Sequence, residues 1–225
     1  MKKIVFLTTI FPMKEKYLID FFDSLLVQSY KNFDIVVVND GYRNFDILLK
    51  KYNKLNVIEL KYSNTPAKNR EYGINYVISK GYDILIFGDS DDYFSKNRVE
   101  KSVELLDNYD IVVNDLSLFN DNGIYEKLYF SNRIKNNSVV EYDFIKDKNI
   151  FGLSNTAIKL NILGNKIIFD KDIVAVDWFL YKKLLKDRYM AFFTNKIITY
   201  YRQYNNNIIG LNNQNGVYPL WWEKI

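Results

Sequence analysis

Besides a short strand predicted at 56–60, the chain opens with an uninterrupted apolar run at residues 4–8, and similar runs return at 34–38 and 83–87. Runs this short and this apolar predict strands buried on both faces. Between them the period changes. Leu18, Phe21, Phe22, Leu25 and Leu26 recur at helical spacing within 17–28, as do Ile74, Val77 and Ile78 within 68–79. Another helix is predicted around 45–52. This alternation predicts an α/β fold, a Rossmann-like and mostly parallel sheet flanked by helices. Beyond Asp92 the pattern predicts a helix at 97–106 and a strand at 110–114, then loses regularity across polar turns at 120–123 and 132–137. A helix at 176–185 and strands near 191–194 and 197–202 complete the compact part. The chain reads as one domain over 1–210, with an aromatic tail, 211–225, available for packing or for acceptor or partner contact.

Composition narrows the chemistry. Of 225 residues 48% are hydrophobic, enough to build a core, and there is neither cysteine nor histidine. That excludes disulfides, thiolate or imidazole metal sites, and any Ser-His-Asp triad. Acid–base work falls to carboxylates, Lys or Tyr, and metal binding to hard, oxygen-seeking cations such as magnesium, manganese or calcium. The net charge is +4 with scattered basic residues, which does not suggest a nucleic-acid surface. The first apolar run, about seven residues, is too short for a signal or membrane span. The expected compartment is the cytoplasm. Trp221 and Trp222 fit a membrane interface, with peripheral association at its inner face, or packing onto the domain or a second copy. No basic amphipathic helix accompanies them, which favours packing. The oligomeric state is not legible.

Three predicted strands end in suggestive groups: Thr8-Thr9, Asn39-Asp40-Gly41 and Gly88-Asp89-Ser90-Asp91-Asp92. Open parallel sheets bind ligands at such strand ends. Asp89, Asp91 and Asp92 repel one another unless a cation or hydrogen bonds compensate. Two such carboxylates plus diphosphate oxygens would supply much of a magnesium or manganese shell. By itself the pattern fits equally an acidic turn with Asp92 capping the next helix.

Several segments in order carry a resemblance. SLLVQSYKNFDIVVVNDG at 24–41, AKNREYGI at 67–74, ILIFGDSDD at 84–92, VDWFLYKKLL at 176–185 and TYYRQYNNNIIG at 199–210 resemble the family 2 glycosyltransferases of the GT-A (nucleotide-diphospho-sugar transferase) fold, of the bacterial surface-glycan type. The resemblance implies that Asp40, aided by Thr8, binds nucleobase or ribose, and that Arg70 approaches the base or diphosphate. It implies that Asp89 contacts ribose or metal and Asp91 holds Mn2+ or Mg2+. Asp177 would be the catalytic base, and Arg202 and Asn207 would face the diphosphate or acceptor. The implied reaction is inverting transfer from a nucleotide-diphosphate sugar, a UDP-sugar first, to a hydroxyl of a glycan or lipid-linked glycan acceptor in surface polysaccharide or lipooligosaccharide synthesis. The chain departs from the family at Ile10 and Phe11, where an aromatic and an Asn are expected, and at Asn39, Val176 and Tyr204. Read as residues alone, Asp177 is also a good helix cap and Arg70 a solvated helix-start cation. Two alternatives stand beside transfer. A sugar nucleotidyltransferase would want a glycine-rich loop after the first strand, and 8–14 holds no glycine. A degenerate, non-catalytic carbohydrate or nucleotide binder would suit the 17% aromatic content. Acceptor-binding loops are expected within 116–153.

Overall fold

A computed structural model describes residues 2–203. The expectations for Tyr204, Asn207 and the 211–225 tail with its two tryptophans lie outside the described residues. The first half follows the alternation: β1 (Ile4–Ile10), α1 (Glu15–Leu26), β2 (Asp34–Asn39), α2 (Phe45–Leu49), β3 (Asn56–Lys61), α3 (Pro66–Ser79) and β4 (Ile84–Phe87). These four strands run parallel in the order β3-β2-β1-β4. β1 has neighbours on both sides because the chain reverses its direction of winding there, so the gap between β1 and β4 is the topological switch point.

The second half consists of β5 (Tyr93–Phe94), α4 (Arg98–Leu105), β6 (Ile111–Asn120), β7 (Gly123–Glu126), β8 (Ser138–Val140), α5 (Tyr142–Ile145), β9 (Thr156–Lys159), α6 (Val176–Lys186) and β10 (Ala191–Arg202). β9 lies antiparallel between β4 and β6, and β10 returns parallel to β6. β5 and β8 lie against β10, and β7 against β6. The sheet is thus parallel through its first four strands and mixed beyond them. Among the described residues no helix is long and apolar enough to cross a membrane.

Successive residues of β1 divide between two cores, as the two-residue strand period requires. Val5 and Leu7 join Ile74 and Val77 of α3 and Leu180, Tyr181 and Leu184 of α6. Ile4 and Phe6 join Leu18, Phe21 and Phe22 of α1, Phe45 of α2 and Val99 of α4. α3 begins two residues before its apolar period, because Thr65 caps it through the Lys68 amide and Pro66 fills the first turn. The helix then presses on the sheet at Gly73, where a Cβ would lie 2.9 Å from both Leu7 Cδ1 and Val38 Cγ2.

Two differences from the predicted elements have physical causes. β6 runs six residues past the predicted end at 114, through Asp115 and Ser117, polar residues that are nonetheless buried. The Asp115 carboxylate is satisfied there by the amides of Leu116, Phe130 and Ser131 and by the Ser131 hydroxyl. The two predicted final strands are one, β10, whose pairing with β6 shifts register between Thr194 and Ile198.

At the end of β4 the chain passes between two aromatic rings. A Cβ on Gly88 would fall 2.5 Å from both Phe6 Cε1 and Phe94 Cζ, rings with nowhere to move in a filled core. Gly88→Ala is expected to destabilise the protein by about 1–3 kcal/mol through overpacking. Its midpoint in thermal unfolding should fall by roughly 2–4 °C for each kcal/mol, and an unchanged midpoint would contradict this packing.

Candidate functional site

The switch point opens as a crevice lined by Leu7, Thr8 and Thr9 from β1, Phe87, Gly88 and Asp89 from β4, Asn69 and Arg70 from α3, and Leu153. Its cavity volume is only about 20 Å³, room for little more than one water. Anything the size of a nucleotide therefore lies across it, not inside it. Two polar atoms at its walls are buried without a partner: Thr8 Oγ1 and Asn69 Oδ1. Such atoms are rare in proteins and point to a missing partner. Asn69 is itself fixed, its amide donating to Asp40 Oδ2 at 2.8 Å and to the Asn64 carbonyl at 3.1 Å. Asn69 and Asp40 thus form a connected polar edge, with Ser63 donating to the other Asp40 oxygen.

The turn after β2 explains one departure from the family pattern. Gly41 adopts φ +83°, a left-handed conformation that glycine tolerates without strain. Asn39 closes the turn by accepting from the Tyr42 amide at 2.8 Å, and its own amide donates to the Tyr42 carbonyl and to Glu59 Oε1 at 2.6 Å. An aspartate at that position would face the Glu59 carboxylate with no proton to offer. Asn39 suits its neighbour.

The acidic turn separates into distinct environments. Asp89 is half-exposed, with one oxygen 3.8 Å from the Arg70 guanidinium, and its amide donates to Ser154 Oγ at 3.2 Å. Burial raises the Asp89 carboxyl above its ordinary range, and Arg70 opposes the shift. Asp91 is partly exposed. Asp92 is 1% exposed and accepts from the Ser154 hydroxyl and from the Arg202 amide. Burial first, then repulsion by Asp91 and Asp89, pushes its carboxyl well up. The suggested cap by Asp92 is not formed, since Asn97 occupies the N-cap of α4. Among the described residues no group of three or more carboxylates converges on one point. A divalent cation would therefore take one or two protein carboxylates, and oxygens of a bound diphosphate and water would complete its shell. The all-oxygen donor set at Asp89 and Asp91 fits magnesium or manganese on those terms.

Asp177 stands in the first turn of α6, where Ala175 is the N-cap, so the capping alternative is not what the helix uses. One Asp177 oxygen accepts from the Trp178 amide at 2.8 Å and from Asn149 at 3.4 Å. The other faces Gly152, whose Cβ would sit 3.9 Å away. Burial raises the Asp177 carboxyl, the Arg70 charge lowers it, and the Asp89 charge raises it again. Gly152 precedes the crevice-lining Leu153, so the start of α6 lies near the crevice on that side.

Arg202, expected at the diphosphate or acceptor, is enclosed. Its Nε donates to the Asp91 carbonyl at 2.7 Å and its Nη2 to Asp20 at 2.6 Å. Three residues were not singled out from the sequence, although Asn69 and Tyr201 lie inside the segments quoted at 67–74 and 199–210. Ser154 lies in the irregular stretch. Asn69 sits on the buried stripe with Gly73 and Val77, where a polar residue among apolar ones is the available signal. The Tyr201 phenol is raised well above its usual range by burial and then by the charges of Asp92, Asp89, Asp91 and Asp177.

Comparison with known proteins places these features in a lineage. The family model described as Glycosyl transferase family 2 matches residues 8–173. The chain is 26% identical over 179 residues to the O-antigen biosynthesis glycosyltransferase WbnJ of Escherichia coli, covering 77% of this chain and 68% of that protein. Among solved structures, S. aureus TarS 1-349 in complex with UDP superposes with TM-score 0.69 at 20% identity, over 89% of this chain. The mannosyltransferase PcManGT from Pyrobaculum calidifontis, in complex with GDP-Man and Mn2+, gives 0.65 at 14% identity, over 91% of this chain. The chain spans 60% and 58% of those two structures. At such identities the likeness is one of fold, and both neighbours carry the same α/β architecture.

Ser154 joins two strand-end groups with one hydroxyl. Ser154→Ala would leave the Asp92 carboxylate short of a donor and the Asp89 amide without its acceptor. A loss of about 1–3 kcal/mol, the cost of unmaking such a buried bond, is expected in urea unfolding. Wild-type stability in that variant would remove Ser154 from the site's framework.

Proposed function

The chain belongs to glycosyl transferase family 2, and from that premise we propose that it is an inverting transferase moving one sugar from a nucleotide-diphosphate donor to a hydroxyl of a glycan or lipid-linked glycan. The observation that carries this reading is the Arg70–Asp89 ion pair at the β1/β4 crevice, with Asp177 beside Gly152, next in sequence to the crevice-lining Leu153. A UDP-sugar is the first donor to test, in view of TarS with UDP, and GDP- and dTDP-sugars follow.

On this reading Asp40, Thr8 and Asn69 hold the base and ribose, the two orphaned oxygens finding partners on the nucleotide. Asp89 and Asp91 would hold Mn2+ or Mg2+, which when bound neutralises charge on the diphosphate. Arg70 adds the chain's own positive charge on that side. The acceptor hydroxyl lies against Asp177, on the face of the sugar away from the diphosphate. As the acceptor oxygen bonds to the anomeric carbon, its proton passes to Asp177. The bond from that carbon to the diphosphate oxygen breaks, and the nucleoside diphosphate leaves with the electron pair. Attack from the opposite face inverts the anomeric centre. Surface polysaccharide or lipooligosaccharide assembly is the setting in which such a transfer would serve, in line with the O-antigen relative.

Thermal stabilisation by a panel of nucleotide sugars with manganese tests the donor class, because a ligand at ten times its dissociation constant stabilises by about 1.4 kcal/mol. Asp91→Ala is expected to abolish metal-dependent turnover, and metal-dependent turnover persisting in that variant would refute the site assignment. Asp177→Asn should lower kcat by about 10²–10⁴-fold, the usual contribution of a general base, while donor affinity stays near wild type. The base works deprotonated and its pKa is raised in the folded protein. kcat/KM should therefore be lost as pH falls through a limb lying above the ordinary aspartate value. A limb at or below that value would exclude Asp177 as the titrating base.

A further inference from the structure

Arg202 makes contacts that suit a different task from binding a leaving group. Its side chain is 3% exposed. The guanidinium lies between the Tyr17 and Phe119 rings, 4.3 and 4.4 Å from their centroids. Within that slot Nε reaches the Asp91 carbonyl at 2.7 Å and Nη2 reaches Asp20 Oδ2 at 2.6 Å. The Arg202 amide meanwhile donates to Asp92 Oδ1 at 2.8 Å. A planar, delocalised cation can stack on two rings and donate along separate directions, which an ammonium cannot do. To reach a diphosphate, Arg202 would have to leave both rings and both oxygens.

We infer that Arg202 is a positioning residue. It fixes the main chain at Asp91, and so the direction of the Asp91 carboxylate, by tying it to Asp20 on α1. This rests on the reading of Asp91 as the carboxylate that holds the divalent cation. Asp20 supplies the counter-charge from a helix that contributes no residue to the crevice. The metal-binding turn is therefore held from behind by α1 and β10. Loosening the tether should weaken metal capture without touching the nucleotide.

The test measures Mn2+ uptake from the spectrum of the free ion, in the presence of UDP, GDP or dTDP, together with metal-free nucleotide binding and thermal unfolding. Asp20→Asn and Arg202→Lys are each expected to raise the Mn2+ concentration for half-saturation by about tenfold, the effect of losing a charge-assisted hydrogen bond. Metal-free nucleotide affinity should be unchanged in both. Unaltered Mn2+ half-saturation in both variants, with only a lower unfolding temperature, would show Arg202 to be structural and overturn the inference. Weakened metal-free nucleotide binding in Arg202→Lys would overturn it in favour of a direct diphosphate contact. If Arg202→Lys does not fold, Asp20→Asn, altered at a more exposed site, decides alone. Asp91→Ala is the separate control. Mn2+ uptake surviving in that variant, or absent from the wild type with all three nucleotides, refutes the reading of Asp91 and the inference with it.

Discussion

A carboxylate almost wholly withdrawn from water must find its hydrogen-bond donors inside the protein, and Asp92 finds them in segments distant in sequence. Ser154 reaches it from the turn before β9, and the Arg202 amide from the end of β10. Because Asp89, Asp91 and Asp92 share one short turn, fixing the last of them restricts the other two. Burial and mutual repulsion raise the Asp92 carboxyl, so these donors are needed most when the turn is fully ionised. The partly exposed Asp89 and Asp91 owe their placement to this hidden neighbour.

α3 joins the two halves of the site in a comparable way. Its first turns bring Asn69 and Arg70 to the crevice, and Gly73 lets the helix lie close enough on β1 and β2 for them to reach it. The outer side of the same helix holds the loop leading to α6. Asn75 exchanges two hydrogen bonds with the Ile167 backbone, and Glu71 accepts from the Phe169 amide at 2.6 Å. Arg70 and Glu71, adjacent in sequence, thus serve opposite sides of the helix. Loop backbone that would otherwise need water is satisfied by side chains, and the path to Asp177 is anchored on the helix that supplies the site's cation.

Legibility in the sequence followed the kind of signal each element carries. β1 to β4 and the helices between them are repeated apolar runs at characteristic periods, and these were readable. Strand-end acids were readable as a cluster and the family resemblance divided their roles, but the physical reason Asp92 differs from Asp91 was hidden, because it depends on Ser154 and Arg202 arriving from elsewhere. β6 was read short, since Asp115 and Ser117 break an apolar pattern while being buried and hydrogen-bonded. β9 and the Ser154 turn fall in a stretch whose order comes from tertiary contacts, with no periodicity of their own. Asn39 looked like a loss of acidity, and its reason, the Glu59 carboxylate on the neighbouring strand, is visible only once β2 and β3 are paired.

The register shift in β10 has a consequence for parity. Between Thr194 and Ile198 three residues, Asn195, Lys196 and Ile197, pass without partners on β6. Asn195 is held by Asn136 and Ser131 and the Lys196 carbonyl by Asn97, while Ser95 accepts from the amide of Ile198 just beyond them. An odd insertion exchanges the two faces of everything downstream, because side chains alternate with period two. After it, Arg202 is paired with Phe119 and shares its face of the sheet, while Tyr201 turns to the opposite face and packs on the core beneath α3 and α6. Lengthening or shortening that bulge by one residue would exchange the two, setting a phenol in the aromatic slot and a guanidinium against that core. Which face Tyr201 and Arg202 each take is thus counted out upstream, by the unpaired residues 195–197 of the same strand.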